Sequence, residues 1–142
     1  MVPHGEDVTY TLIVPRAHSF FALGPLESYR AIHDAVARAL GAASLTSVAA
    51  PKISDACFAN AAKHDVMMAG RKVAGAAQRR TKFGLLHQGS IQPVEDAAGL
   101  TAALPGSFAA HIEEMGLNAD VSAEAGQLAT AKYATDEWLR RF

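Results

Sequence analysis

The chain has 142 residues, of which 50% are hydrophobic and 19% are charged, and its formal net charge is −1 at pH 7. These values are typical of a globular chain with room for a proper core and exclude a disordered one. The near-zero net charge predicts no strong attraction to nucleic acid or to a membrane surface.

The compartment is predicted from what the sequence lacks. There is a single cysteine, Cys57, which excludes an internal disulfide. No apolar run approaches the roughly 20 residues of a membrane span, and no basic segment followed by an apolar core marks a signal peptide. We therefore predict a cytoplasmic protein.

The first third of the chain predicts a strand, a loop and a helix. Residues 7–15 are rich in β-branched and aromatic side chains and predict a strand that ends at Pro15. Residues 16–25 predict a loop in which Phe20 and Phe21 fold back onto the core. Residues 27–40 carry apolar side chains at helical spacing and predict a helix.

The other face of this helix is polar. It carries Arg30, His33, Asp34 and Arg38. Such residues are mostly exposed in folded proteins, so we predict a solvated face.

The middle of the chain predicts an antiparallel meander. Residues 42–51 are predicted to be a connecting segment after the helix, and residues 54–63 are predicted to form a loop. The three predicted strands are residues 65–68, 72–78 and 85–92, and the predicted turns are residues 69–71 and 81–84. The second strand is rich in Ala and Gly, which indicates that a neighbouring helix or a ligand packs close to its backbone.

The last third predicts helices. Residues 94–103 predict a short helix that ends at Pro105 and Gly106, residues 108–115 a weaker helical segment, and residues 123–142 a mostly helical end.

Two residues stand out as candidates for chemistry. Cys57 is followed by a basic cluster, and positive charge favours the thiolate, although a lone cysteine is often a buried hydrophobe. Lys72 opens the Ala/Gly strand and could stabilise an oxyanion or a carboxylate, or be an ordinary hairpin lysine.

Two further groups have alternative interpretations. The basic run contains Arg71, Arg79, Arg80 and Lys82. It is either a solvated strand edge or a docking surface for an acidic protein. His87 could form a Cys–His pair with Cys57. The sequence has no metal-ligand spacing and no phosphate-binding glycine loop, so no metal site is predicted.

Three segments together resemble the biotin/lipoate protein ligase family, which includes lipoate–protein ligases and octanoyltransferases. They are ACF at residues 56–58, GRKVAGAAQ at residues 70–78 and LHQGSI at residues 86–91. ESYR at residues 27–30 and residues 2–11, with His4, are similar to further family positions. The resemblance covers residues 2–91.

The resemblance implies a fold and a reaction. The implied fold is α/β, related to class II aminoacyl-tRNA synthetases, with a mixed, mainly antiparallel sheet flanked by helices. The implied domain is single, spans residues 1–142 and corresponds to the later part of the family domain. The family transfers an octanoyl or lipoyl group to a lysine of a lipoyl-acceptor domain, such as glycine cleavage H protein or the E2 of a 2-oxo acid dehydrogenase.

The resemblance also assigns roles to residues. Cys57 matches the acyl-carrying nucleophile of one octanoyltransferase branch, and Lys72 matches the active-site lysine. The substrate-binding residues that we predict are His4, Gly75, Ala76, Ala77, His87, Gly89 and Ser90. The residues that we predict to meet an acidic acyl carrier protein or acceptor are Arg79, Arg80 and Lys82.

The chain departs from the family pattern at two places. The Arg-Arg-x-x-Gly-Gly-Gly motif that normally precedes the position of Val2 is absent from the sequence. The proline that usually follows Cys-Phe is replaced by ANAA at residues 59–62.

Three hypotheses follow. The first is an octanoyltransferase that acts through a Cys57 thioester and needs no cofactor. The second is a lipoate–protein ligase that uses ATP and Mg²⁺, with Cys57 incidental. The third is a truncated or split member that is inactive alone and that self-associates or binds a partner carrying the missing motif.

Overall fold

The computed structural model describes residues 6–41, 44–46 and 60–140. Contacts divide the chain into two compact units, residues 2–111 and residues 112–142. The larger unit contains the sheet, two α-helices and every described candidate residue. The prediction of one catalytic domain over residues 1–142 remains a prediction.

The larger unit is built on a five-stranded sheet in which every pair of neighbours is antiparallel. The strands are β1 (Val8–Pro15), β2 (Ser44–Leu45), β3 (Val66–Met68), β4 (Arg71–Arg80) and β5 (Gly84–Ile91). Their order across the sheet is β1-β5-β4-β3-β2. The predicted first strand and the predicted meander are confirmed. β2 lies within residues 42–51, which were predicted to be a connecting segment without a strand.

A tight turn and a bulge shape the β3–β4 hairpin. Ala69 and Gly70 have φ angles of 48° and 76°, the left-handed conformation that a two-residue hairpin turn requires. In the next pairs Met67 lies opposite Lys72 and Val66 opposite Ala74, so Val73 is an extra residue in β4. This bulge places Lys72 and Ala74 on opposite faces of the sheet.

The first α-helix, α1 (Pro25–Ala39), confirms the helix predicted over residues 27–40. A 3₁₀ turn (Ser19–Ala22) precedes it within the predicted loop. Phe20 and Phe21 pack against the buried cluster of Val14, Ile32 and Leu85, as predicted. Pro25 opens α1, and Glu27 accepts a hydrogen bond from the N–H of Gly24 at 3.0 Å.

The second α-helix, α2 (Ala97–Phe108), corrects two predictions. It continues through Pro105 because Leu104 is buried and Phe108 packs against the core, and this packing outweighs the backbone hydrogen bond that proline cannot make. The helix predicted over residues 108–115 is wrong, because the chain turns extended at Ala109.

Both of these helices contribute to one core. Val36 and Ala37 of α1 and Leu100 and Leu104 of α2 pack against the sheet at Val66, Ala74 and Ile91. The sheet residues that alternate with these lie on the opposite side, which we call the outer face. The outer-face residues are Thr9, Thr11, Ile13, Gly75, Ala77, Arg79, Leu86, Gln88 and Ser90.

The smaller unit is helical, as predicted. It contains α3 (Ala119–Leu128), a π-helical turn (Ala129–Tyr133) and α4 (Asp136–Leu139). The side chains of Asn118 and Thr135 cap the two α-helices. Within the described residues, no helix combines the length and the apolar character that crossing a membrane requires.

A substitution at Gly89 tests the packing between β5 and β1. A Cβ at Gly89 would overlap the ring of Tyr10, so Gly89→Ala should lower the free energy of unfolding by about 1–3 kcal/mol. Gly106→Ala is the matched control, because nothing lies within 4 Å of a Cβ there, and we expect it to change stability by less than about 1 kcal/mol. Urea unfolding of both variants measures the difference, and equal stabilities would contradict the packing.

Candidate active site

Lys72 lies over the backbone of Gly75. The bulge at Val73 places both residues on the same face, and a Cβ added at Gly75 would be 2.7 Å from Lys72 Cε and 2.9 Å from Nζ. Any larger side chain at position 75 would therefore displace the lysine. Part of the Ala/Gly character of β4 is explained by the lysine itself, and Ala74 is small because it packs against the helices.

The ammonium group of Lys72 is held by a buried carboxylate. Its Nζ lies 2.8 Å from Asp65 Oδ2 and donates to the carbonyl oxygen of Asn60 at 3.1 Å. The Asp65 side chain is 1% exposed and that of Lys72 is 11% exposed. Water therefore competes little with this ion pair, and its orientation is fixed by protein groups.

Asp65 is itself held by two other donors. Its Oδ2 accepts from the N–H of Ala62 at 2.7 Å, and its Oδ1 accepts from the hydroxyl of Tyr29 at 2.5 Å. The same Tyr29 oxygen accepts from the N–H of Ala76 at 3.1 Å. Burial and the bond to Asp65 raise the pKa of Tyr29, so its hydroxyl stays protonated and donates.

A second polar cluster lies between α1 and the sheet. His87 is fully buried, its Nε2 is 3.1 Å from the Tyr10 hydroxyl, and its Nδ1 is 3.0 Å from the Gln78 amide. With the Gln78 oxygen facing Nδ1, the amide nitrogen reaches Ser28 Oγ and every group has a partner. Burial, and then the neighbouring His33, lower the pKa of His87 to about 3, so the ring is neutral.

His33 is also buried, which corrects the prediction that it lies on a solvated helix face. It follows Tyr29 by four residues and therefore lies on the same side of α1, where the two ring centroids are 4.1 Å apart. Its Nδ1 is 2.7 Å from the carbonyl oxygen of His64, and burial lowers its pKa. Its Nε2 has no hydrogen-bond partner within the described part of the chain.

The predicted substrate-binding residues divide between the two faces of the sheet. Gly75, Ala77 and Ser90 lie on the outer face with Lys72, and Gly75 pairs with Ser90 across the strands. Ala76, His87 and Gly89 lie on the face that the helices cover. Their roles in binding remain predictions, and Cys57 and His4 lie outside the described residues.

The residues of the basic run also differ in their exposure. Arg79 and Lys82 are exposed. Arg80 turns inward instead, donating to the carbonyl oxygen of Phe21 and to Ser28 Oγ and lying 4.5 Å from the centre of the Phe21 ring. Arg80 is therefore not part of a solvated edge but ties β4 to the start of α1, and its role in meeting an acidic partner remains a prediction.

Sequence reasoning missed Asp65 and Tyr29 as site residues. The sequence places Asp65 in the strand predicted over residues 65–68 and Tyr29 in the helix predicted over residues 27–40. The available signal was the i, i+4 spacing of Tyr29 and His33, which puts two polar rings on a side that otherwise packs into the core.

The arrangement can stabilise negative charge. A fixed ammonium group beside small residues provides an electrostatic site for a carboxylate or a tetrahedral oxyanion. Among residues 6–41, 44–46 and 60–140, no group of three or more His, Cys, Asp or Glu side chains is placed to hold a metal ion.

An antiparallel sheet with helices on one face and an ion-paired lysine on its hairpin strand defines an α/β domain. Residues 1–120 match the family described as the lipoyl protein ligase A/B catalytic domain. The chain therefore belongs to this family, which confirms the resemblance seen in its sequence.

Relatives and structural neighbours agree with this assignment. The chain is similar to octanoyltransferase LipM of Staphylococcus aureus, with 31% identity over 63% of this chain and 37% of that protein. It is 30% identical to octanoyltransferase LipM of Kyrpidia tusciae over 72% of this chain and 42% of that protein. The chain thus spans about two fifths of the length of these relatives.

The fold is similar to that of protein Ta0514 from T. acidophilum. In the structure of that protein with bound lipoic acid, the TM-score is 0.66 at 18% identity, covering 94% of this chain and 64% of that chain. A second structure of Ta0514 gives a TM-score of 0.69 at 17% identity. The predicted α/β fold with a mainly antiparallel sheet is confirmed.

Because His33 and His87 are buried, we predict that the protein loses stability as the pH falls. Their pKa values are lowered in the folded chain, so the unfolded chain binds more protons below about pH 6.5, and stability falls as the pH falls from there toward the folded pKa of His87, about 3. Each histidine contributes a slope of up to about 1.4 kcal/mol per pH unit.

His87→Gln should retain both hydrogen-bond partners and reduce the loss of stability between about pH 6.5 and pH 4.5 by about 1–2 kcal/mol. The exposed His111→Gln is the matched control and should follow the wild type. Urea unfolding across this pH range measures how the stability of each protein depends on pH. The same pH dependence in all three proteins would contradict the lowered pKa of His87.

Proposed function

We propose that this chain takes part in transferring an octanoyl or lipoyl group to a lysine of a lipoyl-acceptor domain, through an acyl thioester on Cys57. The observation that carries the proposal is the Lys72 ammonium group, fixed over Gly75 by buried Asp65. Membership of the lipoyl protein ligase A/B family and similarity to proteins named octanoyltransferase LipM support it.

In the first half-reaction the Cys57 thiolate attacks the carbonyl carbon of an octanoyl thioester on acyl carrier protein. The Lys72 ammonium stabilises the tetrahedral oxyanion, which collapses and releases the carrier thiolate, to be protonated by solvent. In the second half-reaction the acceptor lysine amine attacks the Cys57 thioester. An amide forms, the amine loses a proton, and Cys57 leaves as thiolate.

This route requires no ATP because a thioester is already activated toward an amine. The alternative is ATP-dependent ligation, in which ATP and Mg²⁺ would activate free lipoate and Cys57 would be incidental. In the third hypothesis, a truncated or split member, the Arg-Arg-x-x-Gly-Gly-Gly motif comes either from an upstream segment of the same protein or from a second polypeptide.

Intact mass spectrometry after incubation with octanoyl-acyl carrier protein tests the covalent step. We expect an octanoyl adduct that is absent in Cys57→Ala. Lys72→Gln should slow adduct formation by about 10²–10³-fold, the usual cost of removing an oxyanion donor. The exposed Lys63→Gln is the matched control and should react at the wild-type rate.

Other outcomes favour the alternatives. An adduct that survives in Cys57→Ala would exclude the Cys57 thioester. Acceptor modification that depends on ATP and lipoate, without an adduct, would support the ligase. Activity that appears only on adding a polypeptide with the glycine-rich motif would support the split enzyme.

We further propose that the β4–β5 hairpin end is the surface that meets an acidic carrier or acceptor. Arg79, Lys82 and Arg16 are exposed there and, within the described residues, none of them forms an ion pair. Phe83 is 78% exposed, and the centre of its ring lies 5.0 Å from Lys82 Nζ. An exposed aromatic ring within a basic rim is the composition of a protein-binding surface.

Reversing charge at this surface should weaken docking. For Arg79→Glu with Lys82→Glu, we expect the second-order rate of Cys57 acylation to fall by about tenfold or more at low salt, and by less at high salt. Arg30→Glu, on the exposed side of α1, is the control. Stopped-flow rates against ionic strength measure the effect, and an identical salt dependence in all proteins would exclude this surface.

A further inference from the structure

We propose that Tyr29 is a positioning residue that acts through Asp65 to hold the Lys72 ammonium group in its working orientation. The inference deepens the proposed function and rests on it for the catalytic consequence. Its geometric basis is the chain of contacts from α1 through Tyr29 and Asp65 to Lys72.

The two oxygens of Asp65 have separate partners. Oδ2 faces Lys72 Nζ at 2.8 Å and the N–H of Ala62 at 2.7 Å, whereas Oδ1 faces the Tyr29 hydroxyl at 2.5 Å. Because the carboxylate is 1% exposed, water cannot replace a lost donor. Removing the Tyr29 hydroxyl would leave Oδ1 unsatisfied and the carboxylate held through Oδ2 alone.

Tyr29 occupies a gap in the sheet. β3 pairs with β4 only as far as Val66 and Ala74, and two residues further along β4 the N–H of Ala76 is bonded by the Tyr29 oxygen at 3.1 Å. The tyrosine therefore replaces the strand that β4 lacks at this point. A phenylalanine would fill the same space but would satisfy neither Ala76 nor Asp65.

Helix α1 holds the segment before β3 at two consecutive residues. His33 bonds the carbonyl oxygen of His64 at 2.7 Å, and Tyr29 bonds the carboxylate of Asp65. His64 has a φ of 71°, in the left-handed region that few non-glycine residues adopt. The helix thus determines both the backbone and the side-chain orientation at Asp65.

Two measurements on Tyr29→Phe test the role. The first is the ¹⁵N-correlated NMR signal of the Lys72 ammonium group, which is identified by its loss in Lys72→Gln. A buried, ion-paired ammonium exchanges its protons slowly, so we expect the signal in the wild type and its loss in Tyr29→Phe. Tyr133→Phe, whose ring is 48% exposed, is the matched control and should retain it.

The second measurement is the acylation of Cys57 by octanoyl-acyl carrier protein. In Tyr29→Phe we expect the rate constant of acylation at saturating carrier protein to fall by about 10–100-fold. The carrier concentration that gives half of this rate should change by less than about threefold, because misplacing a stabilising charge affects the transition state more than binding. Tyr133→Phe should leave both constants unchanged.

The two readouts separate the inference from the function on which it rests. A retained Lys72 signal in a folded Tyr29→Phe protein overturns the positioning role. Loss of the signal with unchanged acylation in both Tyr29→Phe and Lys72→Gln supports the geometry and refutes the proposed function of Lys72. Should Tyr29→Phe fail to fold, Asp65→Asn tests the contact through which Tyr29 is proposed to act, and a retained signal there overturns the inference.

Discussion

The ion pair between Asp65 and Lys72 is the interaction on which the site depends. A carboxylate that is 1% exposed loses most of its hydration, and this cost is offset only when several donors surround it. Lys72, Ala62 and Tyr29 provide those donors from three segments of the chain. The bulge in β4 is part of the same arrangement, because it turns Lys72 onto the face where Gly75 leaves space for it.

The sheet separates two kinds of polar chemistry. On the face covered by helices, His87, Gln78 and Tyr10 form a buried network in which each group is used to satisfy another. On the outer face, Lys72 lies beside Gly75, with Ser90 opposite on the next strand. Tyr29 connects the two sides by reaching from α1 through the gap beside β4. A change in the helix packing would therefore reach the lysine through a short series of hydrogen bonds.

The local sequence predicted most of the regular structure. α1 and the strands β1, β3, β4 and β5 follow from side-chain periodicity and from turn residues, which act over a few positions. The errors share a cause. His33 was predicted to be exposed and Pro105 to end a helix, yet His33 bonds His64 from a distant segment and Leu104 packs against the core beside Pro105. In both places tertiary contacts outweigh a local preference.

The sequence by itself determined the family, the fold class and the choice of Lys72 as a candidate, because the GRKVAGAAQ string and the hairpin around it are local features. Only the tertiary structure decided which residues share a face with Lys72 and which group holds it. Asp65 and Tyr29 are 36 residues apart, so their contact depends on how α1 packs against the sheet. That packing is set by burial summed over many side chains, which no single stretch of sequence encodes.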